Sequence, residues 1–284
     1  MNRSPAERIP IGGSSGLERR SVALREYLGE LHVSLETGLN TDLLAVRLMV
    51  LSETDWRTAS PYPYGFTFFR RLKDGSGVIF APADYPQNLL WVFRALLTRT
   101  QQKPPSSLEM FLDLTLGHEL GHAVADQLGL RTHVRWLDEF LATYLYLAAL
   151  QRTNPDSLKT ALEWGQLLSG TNLECALASP MLLKPSGSRT RVKKRREAAQ
   201  QDSTVPRHDL GAFEYPLVRL PLANQAWYQA RFTLFAAELL EQHGLGFIVS
   251  ALEVLPKATG RGAISRALVR LEPSFKPWFA SFGS

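Results

Sequence analysis

The sequence is poor in cysteine and has no long apolar run, and both absences narrow the function classes. With one cysteine, Cys175, among 284 residues, the chain has no internal disulfide framework and no CxxC pair for a metal. Any metal site would therefore use histidine and carboxylate side chains. No stretch approaches the roughly 20 consecutive apolar residues of a membrane span, and residues 1–20 lack the apolar centre of a secretory signal. We therefore expect a cytoplasmic protein with no membrane partner.

The net charge of +5 comes from one short segment. Residues 184–196, KPSGSRTRVKKRR, hold seven Lys and Arg and no acid, which leaves the rest of the chain at −2. The segment lies in a polar stretch with little to bury, so we predict a mobile, solvated insertion. The alternative is a nucleic-acid-binding patch, which the lack of aromatic residues for base stacking disfavours.

The remaining chain changes character once, near Pro104 and Pro105. Before the prolines, runs rich in β-branched and aromatic residues predict a small sheet, and Asp74-Gly75 predicts a hairpin between its last two strands. After them, long helical patterns continue to the C-terminus. The predicted strands are 43–51, 64–72 and 77–83. The predicted organisation is a disordered tail (1–20), a β-containing part (21–105), a helix pair (106–180), the basic insertion (181–215) and a C-terminal helical part (216–284).

The most informative motif is LGHELGHAVADQLG, residues 116–129. Ser106 with Glu109 fits a capping box and Gly129 a C-terminal cap, which predicts one helix over 107–128. His118 and His122 then share a helix face about 6 Å apart, within reach of one ion. Glu119 lies about 100° around the helix, where a carboxylate can take a proton from water at the ion. A polar helix face is the alternative interpretation of this HExxH pattern.

A catalytic zinc usually takes three protein ligands. Six residues after His122 stands Leu128, which excludes the class with a third histidine there. A second helix, predicted to run from about Thr132 to just before Asn154-Pro155, would pack antiparallel to the first after a tight turn. Counting helical rise in both directions from the turn returns Glu139 to the level of His122.

These strings resemble a known family. HELGH followed by WLDEFLATYL resembles the gluzincin metallopeptidases, and the second string is similar to the WLNEGFAxY segment of the aminopeptidase N group. The C-terminal strings from AWYQARFTLF to AISRALVRLEPSFKPWFASF are similar to the helices of the peptidase MA-like family. The resemblance implies an α+β, zincin-like fold, with a small N-terminal mixed sheet over the HExxH helix and a mainly helical C-terminal part.

The resemblance also implies a zinc-dependent hydrolysis of peptide or protein substrates. His118, His122 and Glu139 would bind one Zn²⁺, Glu119 would be the general base, and Tyr228 would face the tetrahedral intermediate. The strand GVIFAPA, residues 77–83, would be the sheet edge along which an extended peptide lies.

The sequence departs from the family at three places. The spacing between His122 and Glu139 is slightly shorter than in the aminopeptidase N group. Thr143 stands where thermolysin-like enzymes carry an acid, so we expect support for the ligands from elsewhere, with Asp126 and Asp138 as candidates. No GxMEN signature precedes His118, so aminopeptidase activity is not expected, and we predict an endopeptidase. The alternatives are a zinc-containing regulatory or scaffold protein without peptidase activity, and a nucleic-acid binder through residues 184–196.

Overall fold

The computed structural model describes residues 4–98, 102–170, 210, 213 and 222–282. Within these ranges the fold is a mixed α+β arrangement, mostly helical, with one small sheet of four strands. No helix in the same ranges is long and apolar enough to cross a membrane. The predicted basic insertion lies outside the described residues, apart from Leu210 and Phe213.

The sheet contains both parallel and antiparallel pairs. Its strands are β1 (Ile11–Gly13), β2 (Val46–Leu51), β3 (Phe68–Arg71) and β4 (Gly77–Pro82), in the spatial order β1-β2-β4-β3. The pairs β1–β2 and β2–β4 are parallel, whereas β3 and β4 form the predicted antiparallel hairpin. All six residues of β4 are buried, because Ile79 and Ala81 pack in the main core on one face of the sheet and Val78 and Phe80 pack in a smaller cluster on the other.

The strand order corrects one expectation about the sheet. Residues 77–83 were expected to form its edge, but β4 pairs on both sides, and the edges are β1 and β3. The hairpin signal at Asp74-Gly75 identified the β3–β4 pair, but only the long-range pairing of β2 with β4 decides which strand is outermost.

Helices account for most of the described residues between and after the strands. Those of the first half are α1 (Pro5–Arg8), α2 (Glu18–Leu39), α3 (Glu53–Ala59), α4 (Gln87–Thr98), α5 (Leu108–Leu114) and α6 (Leu116–Gln127). Those of the second half are α7 (Arg135–Thr153), α8 (Pro155–Ser169), α9 (Leu222–His243), α10 (Gly246–Val254), α11 (Arg261–Leu271) and α12 (Phe275–Ala280), with a 3₁₀ turn at Leu255–Lys257. Helix α7 lies in the centre: it contacts α2, α6, α8 and α9, and residues 140–150 are all buried.

The first residues of the chain belong to the fold. The tail predicted over residues 1–20 contains, from residue 4 onward, α1, β1 and the start of α2. Ile9 is fully buried, and Arg8 hydrogen bonds through Nε to Glu36 at 2.8 Å. Strand β1 was not predicted, because a three-residue strand that contains two glycines has little β propensity.

The helix predicted over residues 107–128 is two helices with a break at Thr115. The Thr115 hydroxyl donates to the Leu112 carbonyl at 2.7 Å, and the His118 N–H bonds to the Thr115 carbonyl at 3.0 Å. The N-terminal cap is Ser107 rather than Ser106, since its hydroxyl accepts the Met110 N–H. Because of this break, α6 is a separate helix from α5, and the HExxH residues lie in its first two turns.

Candidate metal centre

Three side chains from α6 and α7 meet at one point. His118, His122 and Glu139 each offer a ligand atom, and these atoms lie within 4.8 Å of one another. Glu139 Oε2 is 3.0 Å from His118 Nε2 and 3.6 Å from His122 Nε2. The three side chains are 15–21% exposed, so the group is mostly enclosed but still reached by solvent. The expected ligand set is therefore assembled as a group that could hold a metal ion.

Two glycines on α6 allow this close approach. A Cβ added at Gly121 would lie 2.1 Å from the carbonyl oxygen of Ala142 on α7, and one at Gly117 would lie 2.4 Å from the Tyr146 ring. Each glycine directly precedes a histidine of the motif. The two helices therefore touch backbone to backbone beside the site, and a Glu side chain on α7 can reach between the histidines.

The turn between the helices is short and reverses the chain sharply. Gly129 adopts φ +75° after α6, where the Leu130 N–H bonds back to the Ala125 carbonyl, as predicted for a glycine cap. Asp138 accepts two hydrogen bonds from Thr132, at 2.9 Å from its N–H and 2.9 Å from its hydroxyl. Asp138 therefore fixes the turn, and α7 begins at Arg135, three residues later than predicted.

Thr143 orients His118 through a hydrogen bond, a role that was expected of Asp126 or Asp138. Its hydroxyl donates to the Glu139 carbonyl at 2.8 Å and lies 3.1 Å from His118 Nδ1. A hydroxyl has one hydrogen, and the carbonyl can only accept, so Oγ1 must accept the Nδ1–H of His118. This tautomer directs Nε2 towards the candidate site as a ligand atom. Thr143 thus does, as an acceptor, what an acid would do at this position.

Glu119 lies beside the group and faces the edge strand β3. Burial raises the pKa of its carboxyl, while the two histidines and a hydrogen bond from the Phe69 backbone N–H work in the opposite direction. Two residues along β3, Arg71 pairs with Asp126 of α6 at 3.1 Å. Asp126, a candidate to orient His122, therefore joins the strand to the helix instead. Both contacts hold β3 against the face of α6 that carries the site.

The candidate ligands His122 and Glu139 shift each other's pKa in opposite directions. Burial lowers the pKa of His122, but the Glu139 carboxylate outweighs burial and raises that pKa to about 9. Burial likewise raises the pKa of Glu139, but the nearby histidines outweigh it and hold the pKa well below its usual range. Glu139 is therefore a carboxylate at neutral pH, as a metal ligand must be.

Helix α9 contacts the candidate site through Gln229, which no sequence motif indicated. The Gln229 side-chain amide hydrogen bonds to Glu139 Oε2. Its neighbour Tyr228 is fully buried, with its ring 5.2 Å from that of Phe213 and stacked on Phe282 at 6.0 Å. The role expected for the Tyr228 hydroxyl stays a prediction. Periodicity could not single out Gln229, because a polar residue on a largely apolar helix also fits a solvent-facing position.

The donor set fits a small divalent ion of borderline softness. Bonds of about 2.0–2.1 Å at tetrahedral angles place neighbouring ligand atoms about 3.3 Å apart. The two His–Glu separations, 3.0 and 3.6 Å, bracket that distance. Two imidazole nitrogens and one carboxylate oxygen also leave a fourth position open.

Comparison of the chain with protein-family models, with curated proteins and with solved structures found no match. The residues of this site are therefore the basis for a functional assignment.

Proposed function

We propose that the protein is a zinc metallopeptidase of the gluzincin type, with a zincin-like arrangement of its sheet and site helices. The observation that carries the proposal is the convergence of His118, His122 and Glu139 on one point, with Glu119 on the next helical position. Two histidines and a glutamate are a ligand set of catalytic zinc, which keeps one coordination position open, whereas structural zinc sites are closed by four protein ligands.

Each of the three residues would bind the ion from a different position on α6 or α7. His118 would bind through Nε2, because its Nδ1 keeps a proton and donates it as a hydrogen bond to the Thr143 hydroxyl oxygen. His122 would bind from the next turn, and Glu139 would supply the negative charge from α7. When bound, zinc supplies a Lewis acid that polarises the scissile carbonyl and lowers the pKa of water towards 7.

Glu119 acts as the general base and then as the general acid. Its carboxylate takes the proton of the attacking water and delivers it to the amine that leaves when the peptide bond breaks. The Phe69 backbone N–H of strand β3 donates a hydrogen bond to this carboxylate. A group that donates a hydrogen bond to the carbonyl oxygen would stabilise its developing charge, and Tyr228 is the residue predicted for this.

The substrate class follows from the strand beside the base. Strand β3 is the sheet edge that contacts α6, and an extended peptide can add to such an edge through backbone hydrogen bonds. We therefore favour a peptide or protein substrate that binds within its chain rather than by its end, since the sequence before His118 has no GxMEN signature to bind a free amino terminus.

The test is to separate metal binding from hydrolysis. Purified protein is expected to bind about one zinc by metal analysis and to cleave members of an unbiased peptide library. Glu119→Gln is expected to retain zinc and lose cleavage, because an amide keeps the shape but cannot accept the proton. Full activity in Glu119→Gln would refute the mechanism. Tyr228→Phe, which keeps the ring, is expected to lower kcat roughly 10²- to 10³-fold if its hydroxyl serves the oxyanion.

A further inference from the structure

We propose that Gln229 is a positioning residue of the metal centre, which acts by holding Glu139. The inference rests on the proposed zinc site but not on the reaction. The amide of Gln229 contacts Oε2, the same Glu139 oxygen that faces both histidines. One atom of α7 is therefore approached by α6 from one side and by α9 from another.

The chemistry of the contact suits a metal ligand. A carboxylate only accepts hydrogen bonds, so the amide must present its NH₂ group, which donates. The amide is neutral, so it orients Glu139 without cancelling the negative charge that attracts the cation. An Arg or Lys at this position would hold the carboxylate but would also compete electrostatically with the ion.

The fold does not need Gln229 for packing. Helix α9 is fixed in the core by a stripe of apolar side chains, Phe232, Phe235, Ala236 and Leu239, all buried. Gln229 is only half-buried and lies beside this stripe. Its removal is therefore expected to change the orientation of Glu139 rather than the position of the helix.

A ligating carboxylate is normally hydrogen bonded in turn, and the loss of such a partner costs about 10- to 100-fold in metal affinity. Gln229→Met keeps the length of the side chain and deletes the donor. We expect it to weaken the binding of Zn²⁺, measured by competition with a chromophoric chelator, by about that factor. Gln242→Met, on the exposed end of the same helix, is the matched control and is expected to bind zinc as the wild type does.

A double-variant cycle separates positioning from a general structural role. If Gln229 acts through Glu139, then Gln229→Met is expected to add no further loss of zinc affinity in a Glu139→Gln background. The melting temperature of the metal-free protein is expected to stay that of the wild type in Gln229→Met, while the increase in melting temperature on adding zinc becomes smaller.

Three outcomes would overturn the inference. Wild-type zinc affinity in Gln229→Met would show that the contact is incidental, and additive losses in the double variant would show that Gln229 does not act through Glu139. Failure of the wild type to bind zinc would refute both this inference and the proposed function. Zinc binding without any peptide cleavage would refute the proposed function alone, because the positioning role is read from affinity.

Discussion

Thr143→Val tests whether the Thr143 hydroxyl sets the tautomer of His118, a proposed zinc ligand. Valine has nearly the shape of threonine, and residue 143 is 3% exposed, so the substitution removes the hydroxyl without opening space for water. His118 Nδ1 loses the acceptor that lies 3.1 Å away. Leaving a buried N–H without a partner costs about 1–3 kcal/mol.

This cost appears in two measurements. In the metal-free protein we expect a decrease in the free energy of unfolding of about 1–2 kcal/mol, read from urea denaturation. In the metal-free variant the imidazole can also turn, or hold its proton on Nε2, where Glu139 accepts it, and zinc binding must then displace that proton. We therefore expect zinc affinity to fall about 10- to 100-fold, in the range of other partners of metal-binding histidines.

Thr143→Ser is the control, since it keeps the hydroxyl and loses one methyl group. We expect the serine variant to bind zinc within about threefold of the wild type, since the hydrogen bond to His118 persists. Equal affinity in the valine variant, the serine variant and the wild type would refute the assignment of Nδ1–H to Thr143. A loss in the serine variant as large as in the valine variant would point to packing instead.

Three further predictions address the helix contact, the pH dependence and the start of the chain. Gly121→Ala is expected to lower the free energy of unfolding by roughly 3 kcal/mol and to weaken zinc binding, because its Cβ would lie 2.1 Å from the Ala142 carbonyl oxygen; denaturation and metal titration measure both. His122, with a pKa of about 9, must lose its proton to bind the ion. At pH 7 we therefore expect about one proton released per zinc, by calorimetry in buffers of different ionisation enthalpy, and an affinity that rises up to about pH 9; no proton release would contradict this. Glu36→Gln is expected to cost roughly 1–3 kcal/mol at pH 7 by breaking the mostly buried pair with Arg8. Burial raises the pKa of Glu36, but hydrogen bonds from Arg8 and from the Leu43 N–H outweigh burial and lower that pKa below 4.5. The loss of stability in Glu36→Gln relative to the wild type is therefore expected above pH 4.5 and is expected to shrink as the pH falls through the pKa of Glu36 in the folded protein. A loss of stability that does not depend on pH would argue against this ion pair.

The geometry of the ligand triad was predictable because it depends on local rules. His118 and His122 are one helical turn apart, and Glu139 follows after one short turn, so helical rise alone places it correctly. Glu139 was expected at the level of His122 and lies within one helical turn of it, slightly closer to His118. Such reasoning needs only the periodicity of two adjacent helices.

The partners of the triad were not predictable, because they come from distant segments. Gln229 is 90 residues from Glu139, and Phe69 is on a strand that precedes the motif by a long stretch of chain. Thr143 is close in sequence, but its role depends on which atom takes its single hydrogen, a detail that a residue pattern does not carry. Tertiary packing decides all three.

The three proposed ligands lie within 21 positions of one another in the chain, so they are synthesised close together in time. During synthesis, the α6–α7 hairpin leaves the ribosome well before α9 exists, because chains emerge from the N-terminus. Closing so short a loop costs little entropy, so a nascent chain can gather its histidines and glutamate early. We expect metal capture to begin on the unfinished polypeptide with weak affinity, and release of the completed chain to convert that loose complex into a slowly exchanging one.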